Sequence, residues 1–388
     1  MRKLAVITTH PVQYNAPLFS LLAERQRLNL KVFYTWGQAG GKVYDPDFGI
    51  QREWDIPLLN GYGYEFVENI ASDPGSHHFS GINNPGLVKK IIEYNPDAIL
   101  VYGWSFKSHL KILRHFGGKV KILFRGDSTL MDEGNGFSIK KIARRFFLKW
   151  VYKKIDTALY TGIANMHYFL AHGLQKHQLV FAPHAVDMHR YQHSSVTIDR
   201  LPLKIADTEM VFVFAGKMEK KKDPLLLLQA FKALKAPAVH LLFVGNGDME
   251  NKLKSEANWN NSFSQNNIHF LPFQNQGMMP AVYKLADVFV LPSGGPGETW
   301  GLSVNEAMAC SRAVLVSDKC GCAGDLIKEG VNGYKFESGN ANDLIAKMQL
   351  FIKRKDELPE MGRQSFRIIG QWNFEKICAA IEGVVLEN

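Results

Sequence analysis

Cysteine is scarce, with four in 388 residues: Cys310, Cys320, Cys322 and Cys378. None has the spacing of a zinc site or a redox Cys-x-x-Cys pair, and Cys320 and Cys322 stand too close for an easy disulfide, so reduced, partly buried thiols are expected. Long apolar runs are missing as well. No stretch approaches the ~18–20 residues of a membrane span. The opening Met1-Arg2-Lys3-Leu4-Ala5-Val6-Ile7 resembles a signal peptide only until Thr8, Thr9 and His10 interrupt it without a small-residue cleavage site, which leaves a first β-strand. Low-complexity tracts are absent, and acid is in deficit: 37 Asp and Glu against 46 Lys and Arg, a net charge of +9. That surplus suits nucleic acid, an anionic membrane surface or a phosphorylated small molecule. With no zinc finger, no RNA-recognition signature and no long basic tail, nucleic acid becomes a minor alternative. These features together imply a cytoplasmic protein.

What is present is a rhythm. Short apolar runs alternate with amphipathic helical stretches, and the length suggests two or three domains. Strands are expected at residues 4–9, 31–35, 97–102, 119–124, 156–161 and 178–181, then at 210–215, 240–244, 267–271, 287–291 and 313–317. Helical patterns cover 85–94 and 106–116. Near-continuous apolar strands alternating with helices mean a parallel sheet covered on both faces, and here the pattern occurs twice. The fold class is therefore α/β, two Rossmann-like domains. The expected division is a first domain at 1–190, a linker at 191–208 where the rhythm lapses, a second domain at 209–370, and a closing helix within 371–388, for which packing back on the first domain is an open alternative. Sheets of this kind bind ligands beyond their carboxyl strand ends, which puts those ends across a shared cleft.

The strongest motif is Gly297-Glu298-Thr299-Trp300-Gly301-Leu302-Ser303-Val304-Asn305-Glu306, after the strand at 287–291. Its glycines permit close backbone approach to a ligand. A helix opening near Leu302 directs unpaired N–H groups at that ligand, which favours phosphate. Glu298 before the helix and Glu306 inside it can grip separate sets of sugar hydroxyls. The bland alternative has Glu306 facing solvent and Glu298 merely favouring the helix start. The segment resembles the E-x7-E motif of family 4 glycosyltransferases of the GT-B fold. Downstream, Val316-Ser317-Asp318, Gly321-Cys322-Ala323-Gly324-Asp325 and Gly330-Val331-Asn332-Gly333 follow the same pattern. The resemblance implies that Glu306 binds the ribose diol, Glu298 the donor sugar, and the backbone from Thr299 through Trp300, Gly301 and Leu302 to Ser303 the sugar and diphosphate.

A second constellation is Gly216-Lys217, ending the strand at 210–215, with Lys222 five residues later. Fixed cations aimed at a departing diphosphate lower the barrier to its departure. The family places an Arg directly after the glycine; Lys217 keeps the charge and loses the bidentate geometry. Lys220 and Lys221 read as solvated charges. Gly245-Asn246-Gly247 lacks the third glycine of a dinucleotide fingerprint, since position 250 is Glu. Phe273 and Gln274 resemble the family's base-contacting loop.

In the first domain His10, Gln13 and Tyr14 follow the first strand, in a His-Pro-x-Gln-Tyr form that resembles a subgroup making bacterial surface polysaccharides. His10 has a core-histidine alternative. Arg125 and Asp127 end another strand, and many relatives have a His where Arg125 falls; phosphate clamp, acceptor contact and a structural Arg125–Asp127 ion pair are all open for it. Asp45-Pro46-Asp47 reads as a turn rather than a metal-holding Asp-x-Asp. The stretch 139–154 carries seven basic residues and no acid, with Ile139, Ile142, Ala143, Phe146, Phe147 and Trp150 at helical spacing. The expectation is a crossover helix whose apolar stripe rests on the sheet and whose basic face meets solvent or anionic lipid.

The resemblance implies a retaining, metal-independent transfer from a nucleotide sugar, UDP being the commonest carrier, to a glycan or lipid-linked acceptor, without a cofactor. Glu298, Lys217, Lys222 and Arg125 are its candidate catalytic residues. Two rivals are a sugar-nucleotide epimerase of the same fold and a non-catalytic nucleotide-sugar-binding protein.

Overall fold

The computed structural model describes residues 1–37, 43–45, 50–52, 54–133, 138–258 and 267–387, with 43–45 and 50–52 given by their backbone alone. The strands in chain order are β1 (Lys3–Thr8), β2 (Asn29–Tyr34), β3 (Val43–Asp45), β4 (Ile50–Arg52), β5 (Gly63–Phe66), β6 (Ala98–Tyr102), β7 (Lys121–Arg125), β8 (Thr157–Tyr160) and β9 (Leu179–Phe181), then β10 (Met210–Ala215), β11 (Val239–Val244), β12 (Ile268–Leu271), β13 (Val288–Leu291), β14 (Ala313–Ser317) and β15 (Gly333–Phe336). The chain forms two compact units: Met1–Gly41 with Pro57–His184 and Phe374–Asn388, and Lys42–Ile56 with Ala185–Asn373. The first holds a parallel sheet in the order β5-β2-β1-β6-β7-β8-β9, the second a parallel sheet in the order β12-β11-β10-β13-β14-β15. Both are doubly wound, with the order reversing between β1 and β6 and between β10 and β13, which is where such sheets accept ligands.

Burial explains why these runs are strands. All six residues of β10, Met-Val-Phe-Val-Phe-Ala, are buried, as are Leu4 to Ile7 of β1. A strand covered by helices on both faces loses apolar surface from every side chain, at roughly 1.5–3 kcal/mol for each large one. The eleven strands expected from the sequence all form. Two edge strands, β5 and β15, were not expected: Gly-Tyr-Glu-Phe and Gly-Tyr-Lys-Phe are four residues long, and each carries a charged residue among the apolar ones.

The division differs from the one expected. It falls after His184 rather than at 190, and the supposed linker starts inside the helix Met188–His193. Tyr191 decides this: it is fully buried, its ring packs against Tyr283, and its carbonyl oxygen accepts from the Cys310 thiol. Val43–Asp45 pairs antiparallel with Ile50–Arg52, while Pro46 and Asp47 of the Asp-x-Asp stretch lie outside the described residues.

The basic helix Ile139–Tyr152 corrects a second expectation. Its buried residues are Leu148, Val151 and Tyr152, whereas Ile139 is 79% exposed, Phe146 70%, and Ile142, Phe147 and Trp150 are exposed too. At about 100° per residue, Leu148 lies half a turn from Ile139, so the helix rests on the sheet by the face opposite the long apolar stripe. Arg144, on the packed side, donates to the Tyr168 hydroxyl at 3.2 Å.

The helix Phe374–Leu386 belongs to the first unit. Arg25 donates both Nε and Nη2 to Glu382 at 2.7 and 2.9 Å, Arg27 adds a third bond at 2.9 Å, and Lys121 donates to the Val384 carbonyl. Burial pushes the Glu382 carboxyl up, but the Arg25 bonds and the charges of Arg25 and Arg27 outweigh it, and the group sits below the usual range. A lowered carboxyl stabilises the fold above its unfolded pKa and loses that contribution as pH falls through its folded value. Glu382→Gln is therefore expected to melt lower than the wild type at pH 7, by roughly 1–3 kcal/mol, between the worth of exposed and buried pairs. The gap narrows toward pH 3, and a gap independent of pH in paired thermal melts would contradict the assignment.

Candidate donor site

In the second unit the loops that follow β10, β11, β12 and β13 carry the sequence motifs. Gly216 closes β10, and Gly245, at φ +127°, sits so close that a Cβ there would fall 2.2 Å from the Gly216 oxygen. Met218 N donates to Asn246 O at 2.9 Å, and the Asn246 side chain accepts from Phe273 N at 2.6 Å. The Gly-x-Gly pair thus lets neighbouring loops touch, and Asn246 ties the Phe273 loop into the row. Phe273 and Gln274 are half-buried, and Gln274 bonds its own loop at the Pro272 carbonyl.

After Lys217, half-buried beside Gly216, a short turn at Lys220–Lys222 ends at Asp223. The Asp223 side chain caps the helix Pro224–Leu234 by accepting from Leu226 N at 3.3 Å. This turn aims Lys222 at Glu298: Nζ lies 2.6 Å from Oε2, with side chains 16% and 10% exposed. Ser293 Oγ donates to the same oxygen at 3.1 Å. Both of these bonds fall on Oε2 of the carboxylate. Lys220 and Lys221 are exposed, and Lys221 faces Glu219 at 3.2 Å.

Gly301, at φ +95°, starts the helix Leu302–Ala309. The loop before it is fixed from below: Gly321 N donates to Glu298 O at 3.1 Å and Cys322 N to Trp300 O at 3.0 Å. Trp300 is buried, donates Nε1 to Asn305 Oδ1 at 2.8 Å, and stacks at a tilt on Trp372 at 5.2 Å. Leu302 and Ser303 form the helix's half-buried first turn. Glu306 is only 3% exposed and accepts a 2.6 Å bond from the Tyr283 hydroxyl, so the solvent-facing alternative fails. Tyr283 and Ser293 were not read from the sequence, since one sits in an apolar helix and the other in a Gly- and Pro-rich turn. All four cysteines are buried, and burial pushes the Cys320 and Cys322 thiols up, so both are neutral.

The remaining candidates belong to the first unit. Arg125 is buried and donates Nη1 to the Ala182 carbonyl at 2.8 Å and Nη2 to that of Pro183 at 2.9 Å. Its guanidinium thus fastens the segment after β9. Asp127 lies 3.9 Å from His184, whose pKa is driven well down by burial and by the Arg125 charge. His10 is half-buried, 3.0 Å from Thr9 Oγ1 through Nδ1 and edge-on to Trp36; Gln13 and Tyr14 are half-buried in the next turn.

Residues 196–367 match the family model described as glycosyl transferases group 1. A D-inositol 3-phosphate glycosyltransferase of Geodermatophilus obscurus is 27% identical over 214 residues, 53% of this chain and 46% of that protein. The lipopolysaccharide 1,2-N-acetylglucosaminetransferase of Salmonella typhimurium is 26% identical over 193 residues, covering 47% and 50%. The chain spans about half the length of the curated relatives it matches. Among solved structures, Anabaena Alr3699/HepE in complex with UDP and glucose superposes over 100% of both chains with a TM-score of 0.72 at 17% identity. The second unit therefore carries a glycosyl transferases group 1 domain, on a chain of two Rossmann-like units of the GT-B type.

Proposed function

We propose that this chain is a glycosyltransferase that moves a sugar from a nucleoside diphosphate, UDP in the first instance, to a glycan or lipid-linked acceptor, with retention and without a metal. The observation that carries the reading is the Lys222–Glu298 contact of 2.6 Å beside the start of the helix Leu302–Ala309. Lys222, Lys217 and the helix N-terminus offer fixed positive charge to the departing diphosphate, where preorganised electrostatics lower the barrier most. Glu298 Oε1 takes hydroxyls of the transferred sugar, and Glu306 takes the ribose. The backbone from Thr299 to Ser303, with Gly216, Phe273 and Gln274, completes the donor contacts. The departing phosphate itself receives the acceptor's proton on the same face. Arg125 serves this reaction as a positioning residue, while His10, Gln13, Tyr14 and Asp127 form the acceptor side.

A thermal-shift panel of UDP-, GDP-, ADP- and CDP-sugars tests the reading, because a ligand at 100 times its Kd stabilises by about 2.7 kcal/mol. UDP-sugars are expected to raise Tm; no shift with any member would remove the donor site. Conversion of the donor in the absence of acceptor would favour the epimerase, and binding without turnover the non-catalytic protein.

Lipid proximity fits the same reading. The exposed stripe of Ile139, Phe146 and Trp150 is flanked by Lys140, Lys149, Lys153 and Lys154, the arrangement of a helix lying in an anionic interface. No helix among the described residues is long and apolar enough to cross a membrane. Phe146→Glu is expected to abolish co-sedimentation with phosphatidylglycerol vesicles while leaving the Tm shift by donor intact; unchanged sedimentation would exclude this surface.

A further inference from the structure

We propose that the loop at residues 73–81 of the first unit binds a divalent transition ion of the zinc type through Asp73, His77 and His78. This inference is independent of the donor reading, since every residue of the donor site lies in the second unit. Among the described residues, these three are the group whose ligand atoms all lie within 4.8 Å of one another. His77 Nε2 is 3.5 Å and His78 Nε2 3.2 Å from Asp73 Oδ2. With bonds of ~2.0–2.1 Å, a tetrahedral zinc site has ligand-to-ligand edges of roughly 3.3 Å. Two of the three edges therefore already have the length an ion would require. The Asp73 carbonyl oxygen, 3.0 Å from His78 Nε2, stands within an edge length as a further oxygen donor.

The loop is built to hold this arrangement. Gly75 N donates to Gly81 O, and Gly81 N to His78 O, closing the segment on itself. A Cβ at Gly81 would fall 2.2 Å from the Gly75 oxygen and 3.0 Å from His78 Nε2, so glycine is what lets the loop close with the ring in place. The closed loop is then anchored. Asn69 Nδ2 donates to Gly81 O at 2.8 Å, and Asn84 Nδ2 donates to the carbonyls of Thr35, Val67 and Glu68, just past the ends of β2 and β5. Two imidazoles and one carboxylate are a donor set that suits zinc and its neighbours rather than magnesium or calcium. Asp73 and His77 are exposed and His78 is half-buried, which leaves a coordination position for water.

The test uses the full chain, stripped with a chelator, titrated calorimetrically with zinc sulfate and spectroscopically with Co2+, whose visible absorption reports a low-coordinate nitrogen and oxygen set. One equivalent of Zn2+ is expected to bind. The His77→Ala, His78→Ala double variant should weaken binding at least ~100-fold, more than loss of an outer-shell partner costs, and Asp73→Asn at least ~10-fold. Asp73→Asn is nearly isosteric, so it keeps the test decisive if the double variant folds poorly. A second histidine pair, His189 and His193 with ring centroids 4.5 Å apart, supplies the control. Removing it should change nothing. The proposal is overturned if the wild type takes up neither Zn2+ nor Co2+, if Asp73→Asn and the double variant bind like the wild type, or if binding disappears with His189 and His193 instead.

Discussion

Lys222→Ala is expected to lower turnover at least ~100-fold with little change in Tm, the size of effect that loss of one preorganised transition-state charge produces. Two losses coincide in this variant. On the proposed reading the departing diphosphate loses a cation, and Glu298 keeps only the 3.1 Å bond from Ser293 to hold its carboxylate in place. Glu298→Ala removes the other member of the 2.6 Å pair and should cost at least as much. Because the residues touch, the double variant should be far less damaged than the product of the single effects, as for any pair acting as one unit. Lys222→Arg retains the charge but not the compact ammonium, and an intermediate rate is expected. Near-normal turnover in either alanine variant, measured with UDP-sugar consumption, removes the assignment.

Gly321→Ala is expected to abolish donor binding and to destabilise the second unit together. A Cβ at this position would lie 1.7 Å from the Thr299 oxygen, 2.5 Å from its carbonyl carbon and 3.2 Å from Trp300 Cα. Those are backbone atoms of the loop before the helix Leu302–Ala309 and cannot rotate away. The two bonds from Gly321 N and Cys322 N to that loop must break or stretch, and Glu298 moves off Lys222 as they do. Overpacking of this kind costs ~1–3 kcal/mol or more, which lowers Tm by several degrees in a unit of this size. Gly324→Ala is the control, since a Cβ there meets nothing within 4 Å. The thermal-shift response to donor should vanish in the first variant and persist in the second. A retained response in Gly321→Ala would mean that the Thr299–Trp300 backbone does not hold the donor.

The sheets were legible because both faces of each central strand are covered, so the apolar runs are uninterrupted. β5 and β15 were missed because an edge strand needs no such run. The motif at Glu298 and Glu306 was legible as spacing, but its chemistry was not: that Lys222 and Ser293 converge on one oxygen, and that Tyr283 reaches Glu306, depends on loops and helices far apart in sequence. Arg125 shows the converse. A cation at a strand end invites a phosphate, yet its partners are two backbone carbonyls, which have no signature in the sequence. The helix at 139–152 failed differently, since amphipathic periodicity identifies an apolar stripe without saying whether sheet or solvent receives it.

The grip of Arg25, Arg27 and Lys121 on the helix Phe374–Leu386 also sets an order of assembly. During synthesis a domain can complete itself only when all its parts have left the ribosome. The strands of the first sheet all precede residue 182, but the first unit must wait for its last helix while roughly 190 residues of the second unit are made, on the order of 10–40 seconds at ordinary elongation rates. Through that interval the helix Ala16–Glu24 lacks its eventual neighbour, and Arg25 and Arg27 stand without Glu382. The second unit is thus free to mature before the first has its closing helix.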